Sequence, residues 1–266
     1  MASSMSKKNQ ERSLKKYIGI YAGQAVKLIV GKDTTVPILA GKLKGKRWII
    51  GASVAPVLGM WKEAFTDTFV ESIYESSVVY DIGAQVGWYT LLSSELVGEG
   101  GKVVAFEPLP SVRRYLTKHV EVNRCSNVQI IDAAVSDKDG TAVFFATVDV
   151  GLGSLSPIYG SKPTEKVRTV RIDSLIKNKM APVPDFIKMD IEGGELAALR
   201  GAKSTLDEHA PTIFLEAHGY DTCMDCCDLL TSSGYTLERF PWLGAGRPLN
   251  WQLLAQRPCR DLGNKG

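Results

Sequence analysis

The chain has 266 residues, 44% hydrophobic and 23% charged, a balance that marks a globular protein and excludes disordered and collagen-like classes. No apolar run reaches the length of a bilayer crossing, since the nearest, residues 17–30, is interrupted by Gln24 and Lys27. The net charge of +3 is uneven: residues 1–47 hold eleven Lys or Arg against two acids, Glu11 and Asp33.

That basic arm opens a segment, residues 1–77, which is expected to be a helical extension with an accessory stretch around 48–69. Its charge suits an anionic membrane surface, an acidic glycan or a nucleic acid, or else plain solvation. Aromatic residues are not interleaved with the charge as single-strand binding requires. The odd count of five cysteines and the lack of a secretory leader pattern point to reduced thiols in a cytoplasmic protein. The length accommodates one α/β domain over 78–258, with residues 259–266 as a tail.

The domain opens on an apolar strand, Val78-Val-Tyr-Asp-Ile82, that runs into a glycine turn with the pattern Asp81-x-Gly83-x-x-x-Gly87. A dinucleotide turn needs a second glycine two residues after the first, and an acid before the turn repels a pyrophosphate. The same acid suits the cationic amino-acid end of S-adenosylmethionine, which makes Asp81, Gly83, Ala84 and Gly87 candidate cofactor contacts. A helix over 88–97 leads to a second strand, 101–107, ending in Glu107. An acid there accepts hydrogen bonds from ribose hydroxyls, or starts the helix that Pro108 favours. A third strand over 128–134 carries Asp132, placed either to recognise an adenine amino group or to cap a turn.

A turn at 137–140, strands over 141–148 and 167–172, and a flexible loop at 151–157 come next, with Asp173 as a helix N-cap candidate. The core pattern returns at 185–190, followed by a helix over 196–206, a strand over 212–218 and a helix over 221–233 that Gly234 closes. Residues 235–240 and 250–255 are expected to form a closing antiparallel pair joined by a Gly/Pro-containing loop. Seven core strands with that ending fit a class I methyltransferase, Rossmann-like α/β sheet, mostly parallel, better than a dehydrogenase sheet.

Open α/β sheets bind ligands beyond the carboxyl ends of their strands. Asp190, Glu216 and His218 stand there as the candidate catalytic group, with Glu192 and Glu195 beside them. His218, with an ordinary pKa of about 6.5, suits a general base for an alcohol, and Glu216 lies on the same face two residues before it. A divalent metal, a polyhydroxyl acceptor or the sulfonium would each offset the mutual repulsion of Asp190, Glu192 and Glu195. No further ligand set is evident, and no metal is assigned. Cys223, Cys226 and Cys227 are expected to pack on a helix, and Pro258-Cys259 lies too near the C-terminus for cytosine chemistry.

Asp81-Ile-Gly-Ala-Gln-Val-Gly87, Phe106-Glu-Pro108 and Ile187-Lys-Met-Asp-Ile-Glu-Gly-Gly-Glu195 with Gly201-Ala202 resemble the FkbM family of S-adenosylmethionine-dependent methyltransferases. The resemblance runs from about Val78 to Arg257 and includes Glu216-Ala-His218 and Asn250. It implies O-methylation of a small-molecule or glycan acceptor such as a sugar, glycolipid, glycopeptide or polyketide. Two rivals stand beside it: a nucleic-acid methyltransferase gripping phosphate with the basic arm, and a nonenzymatic ligand-binding module of the same fold. The first lacks an Asp/Asn-Pro-Pro-Tyr motif after the fourth strand, so nucleic acid is not the expected partner.

Overall fold

A computed structural model describes residues 31–61, 63–146, 153–155, 162–241 and 250–257. Residues 1–30 of the basic arm, most of the 151–157 loop, the loop before residue 250 and the tail with Pro258-Cys259 lie outside the described residues.

The described part of the N-terminal segment is less helical than expected. Thr35–Pro37 (β1) and Arg47–Ile49 (β2) pair antiparallel, a 3-10 turn covers Pro56–Leu58, and one short helix, Thr66–Ser72 (α1), follows. Pro37 and Pro56 lack the N–H that a helix interior needs, so no longer helix propagates. The hairpin is fastened by Trp48, fully buried, whose ring stacks on His119 at 3.9 Å. His119 donates from Nδ1 to the Val86 carbonyl at 2.7 Å and accepts the Ile49 N–H at Nε2, 2.9 Å away. Burial pushes its pKa down to about 4, which keeps the ring neutral as this pairing demands.

Val78–Ile82 (β3), Trp88–Val97 (α2), Lys102–Phe106 (β4), Pro110–Val122 (α3) and Val128–Ile131 (β5) build the first half of the main sheet. Ala134–Val135 (β6), Gly140–Ala146 (β7), Gly153–Ser154 (β8) and Lys162–Val170 (β9) form a separate sheet in the order β6-β9-β7-β8. Ile172–Lys177 (α4), Phe186–Met189 (β10), Glu195–Gly201 (α5), Lys203–Glu208 (α6), Thr212–His218 (β11), Tyr220–Ser232 (α7), Thr236–Arg239 (β12) and Asn250–Gln256 (β13) complete the chain. The main sheet has seven strands in the order β12-β13-β11-β10-β3-β4-β5, with β13 antiparallel to both neighbours and the other pairings parallel. Its order reverses between β3 and β10, the kind of switch point at which open sheets bind ligands.

Strand alternation divides the core. Tyr80, Ile82, Ile187, Met189 and Leu215 pack with α4, α5, α6 and α7 on one face. Val79, Phe186 and Phe214 pack with Phe69 of α1 and Leu91 and Leu92 of α2 on the other.

Two expected elements divide. The third strand ends at Ile131, and β6 belongs to the second sheet. The 196–206 helix breaks at Ala202, just after Gly201, where a Cβ would lie 2.0 Å from the Ser136 carbonyl oxygen. Asp173 sits in the first turn of α4 instead of capping it. Its carboxylate accepts the N–H groups of Ser204 and Thr205 and the Thr205 hydroxyl, which caps α6 across the fold. Asp173→Ala is therefore expected to lower stability by about 1–2 kcal/mol, measured by urea unfolding at neutral pH.

Candidate active site

The chain leaves β3 through a turn in which the N–H groups of Gly83 and Ala84 both reach the Phe106 carbonyl, at 3.2 and 2.9 Å. Gly83 has φ of 81°, and a Cβ there would lie 1.9 Å from the Asp190 carbonyl oxygen. Only glycine lets the ends of β3 and β10 come this close.

Beyond that turn lies a cleft. Gly83, Ala84 and Glu107 form one side of it, with Trp61, Leu109 and Phe144 among its apolar walls. Glu107 Oε1 accepts the Leu109 N–H at 2.9 Å and Oε2 accepts the Gln85 N–H at 3.1 Å. Burial pushes its pKa up to about 7 against the pull of those two bonds.

Three of the expected cofactor residues do not reach the cleft wall. Gly87 precedes α2 with φ of 96°, its α-carbon facing Leu116. Asp81 is fully buried; Oδ2 accepts the Thr90 hydroxyl at 2.6 Å, and Oδ1 has no partner among the described residues. Asp132 is exposed and bonded at 2.7 Å to Arg168, which holds its carboxyl below the usual range. Ala133, Ala134 and Val135 form the wall there, so this position offers apolar contact in place of the expected carboxylate–amine bond.

The second half of the site follows from register. Asp81 pairs with Lys188 across β3 and β10, and both lie on the face opposite Tyr80 and Ile187. Lys188 is buried, with Nζ 3.5 Å from Asp190 Oδ2 and 4.9 Å from the Tyr89 ring centre. Burial works against its charge, yet Asp190, Glu63, Asp81 and Glu216 together outweigh burial and raise its pKa. On β11 the same face carries Glu216 and His218, opposite Gln252 and Asn250 of β13. Both amides donate to Glu216, Gln252 at 2.6 Å. The Gln252 carbonyl oxygen in turn accepts the Ala64 N–H at 2.8 Å, tying the N-terminal segment to the site.

Asp190, Glu216 and His218, expected together, are brought together. His218 Nδ1 lies 2.8 Å from Glu195 Oε1, while Nε2 faces Glu192, Asp190 and Glu216 at 3.3, 3.7 and 3.8 Å. Burial opposes its charge, but the bond to Glu195 and the charges of Asp190 and Glu192 push its pKa up to about 9. The ordinary value of about 6.5 expected for a neutral-pH base does not hold in this company. Sequence reasoning does not single out Lys188, Tyr89 or Glu63. A lone lysine inside the apolar run Phe186–Met189 is the visible signal for the first.

The methyltransferase FkbM domain matches residues 81–237, more than half of the chain. The chain belongs to the FkbM methyltransferase family. This FkbM methyltransferase is 24% identical over 169 residues to the hexuronic acid methyltransferase AglP of Haloferax volcanii, covering 64% of this chain and 67% of AglP. Among solved structures, a SAM-dependent O-methyltransferase of Thermotoga maritima shares 11% identity with a TM-score of 0.50, over 86% of this chain and 79% of that one. The methyltransferase FkbM of Methylobacillus flagellatus shares 20% identity with a TM-score of 0.48, over 68% of this chain but only 44% of its own. The Thermotoga likeness bears on the fold, a class I methyltransferase sheet. Among the described residues, no helix of this FkbM methyltransferase is long and apolar enough to cross a membrane.

Proposed function

We propose that the protein transfers the methyl group of S-adenosylmethionine to a hydroxyl of a sugar-containing acceptor. One observation carries this reading: Asp190 and Glu192 line the cleft and also face His218. A largely apolar cleft therefore opens directly onto a wall of oxygen acceptors.

The cleft residues fit the cofactor. Each Glu107 oxygen accepts one backbone N–H and keeps a lone pair for a ribose hydroxyl. Leu109, Val112 and Phe144 offer apolar surface to an adenine ring. When bound, S-adenosylmethionine supplies a methyl group already activated by its sulfonium charge.

What remains for the protein is to align the acceptor oxygen and take its proton. Burial raises the carboxyl pKa values of Glu192 and Glu216, making them stronger bases than free carboxylates. His218 holds these carboxylates in place. A polyhydroxyl acceptor suits such a wall, because each hydroxyl donates to a carboxylate without adding charge. The relative that acts on hexuronic acid supports a sugar acceptor.

Incubation with methyl-labelled S-adenosylmethionine and a panel of neutral glycosides, uronic acid glycosides and RNA tests this function. Label is expected in a glycoside as a base-stable methyl ether; label only in RNA, or only as a base-labile ester, overturns the reading. Because ribose hydroxyls need an ionised Glu107, S-adenosylhomocysteine affinity is expected to rise up to roughly tenfold from about pH 6 to about pH 8. Calorimetry on Glu107→Gln should show that rise abolished.

A further inference from the structure

The acceptor end holds more negative charge than the proposed reaction uses. Six carboxylates, of Glu63, Asp81, Asp190, Glu192, Glu195 and Glu216, gather around two cations, Lys188 and His218. Glu195 is fully buried, and its Oε2 has no hydrogen-bond partner among the described residues; the same holds for the buried Oε2 of Glu63. Buried carboxyl groups in such numbers are offset by protonation, as at Glu63, or by a compensating cation.

The setting of His218 indicates where that cation sits. Glu195 takes Nδ1 at 2.8 Å, which turns Nε2 toward Glu192 Oε2 at 3.3 Å and Asp190 Oδ1 at 3.7 Å. Charge-assisted hydrogen bonds are shorter, about 2.8 Å. Two ligand atoms that each lie ~2.1 Å from a shared ion stand roughly 3.0–3.5 Å apart, close to the observed spacing. A buried carboxylate on the far ring nitrogen is also the outer-shell arrangement that orients a metal-bound imidazole. Asp190, Glu192 and His218 each place one ligand atom within 4.8 Å of the others, and Glu63, Asp190 and Glu216 form a second such group that shares Asp190. Asp190 divides its oxygens: Oδ2 faces Lys188 at 3.5 Å, which leaves Oδ1 for the cation.

We propose that Asp190, Glu192 and His218 bind a divalent cation, oriented through Glu195, which takes the acceptor hydroxyl as a further ligand. One imidazole among carboxylate oxygens suits manganese(II) better than magnesium, which takes oxygen ligands. The cation lowers the pKa of the hydroxyl it holds and so eases proton loss to the surrounding carboxylates. The proposal rests on this end of the site being the acceptor side.

The test is manganese(II) binding to the chelator-treated full chain, followed by the electron paramagnetic resonance signal of the free ion and by calorimetry. One ion per chain is expected. Binding should weaken at least tenfold in His218→Ala and Glu192→Gln, and by about tenfold in Glu195→Gln, whose conservative change preserves the fold. S-adenosylhomocysteine affinity of His218→Ala should stay as in the parent, which shows that the variant is folded. A folded parent that binds no manganese, or variants that bind it equally well, overturn the proposal. Cofactor binding without manganese binding rejects the cation alone, whereas manganese binding without cofactor binding rejects the methyltransferase reading.

Discussion

Lys188→Met is expected to lower folding stability by about 3–5 kcal/mol at neutral pH, the largest loss from any charged side chain of the site. The substitution keeps the apolar bulk inside β10 and removes only the ammonium. Asp81, Asp190, Glu63 and Glu216 then face one another in a buried space without their central cation. Asp81, Glu63 and Glu216 have a partial escape through protonation, because burial already raises Asp81 and Glu216 and pushes Glu63 up to about 8. The loss should therefore shrink as the pH is lowered toward about 5, as Asp81 and Glu216 take up protons in addition to Glu63. The ammonium itself stays charged across this range, because its pKa lies above the ordinary lysine value, so protonation of the carboxyl groups alone sets the direction. Urea unfolding at about pH 5 and about pH 7 measures both the loss and its direction.

Gly83→Ala is expected to cost more than about 3 kcal/mol and to abolish cofactor binding. Two penalties coincide at this position. Its φ of 81° is left-handed, and a Cβ would lie 1.9 Å from the Asp190 carbonyl oxygen, a backbone atom that cannot swing aside. Relief requires β3 and β10 to separate at their ends, which moves the cleft wall and Asp190 together. Gly98→Ala isolates the first penalty, since Gly98 has φ of 64° with nothing within 4 Å of its added Cβ. That variant should lose only about 1–2 kcal/mol. Thermal unfolding of the pair separates backbone strain from collision.

Gly83 and Lys188 also differ in how much of their role is local. Gly83 is legible in the sequence because a glycine between an apolar strand and a helix marks a tight turn, and strand edges such as 212–218 follow from apolar runs alone. Lys188 stands inside the block that carries the family resemblance, yet its role depends on β10 lying beside β3, a pairing that no local pattern encodes. Glu63 and Trp61 are opaque for the same reason. They come from a segment without clear periodicity, and Gln252, nearly two hundred residues away, ties down its backbone. Asp132 is misplaced by a reading that takes a strand end for a cleft wall, because β5 stops one residue earlier and Arg168 claims the carboxylate. The place of His218 at a strand end is legible but its pKa is not, because only the gathered carboxylates of separate segments raise it.

The central claim is a site in two halves, a nucleoside cleft at Glu107 and an acceptor wall at His218. Calorimetric titration of S-adenosylhomocysteine into the parent, Glu107→Ala and His218→Ala tests it most directly. One ligand is expected per chain, with affinity at least tenfold weaker in Glu107→Ala and unchanged in His218→Ala. Absence of binding by the folded parent, or equal binding by Glu107→Ala, would contradict the account.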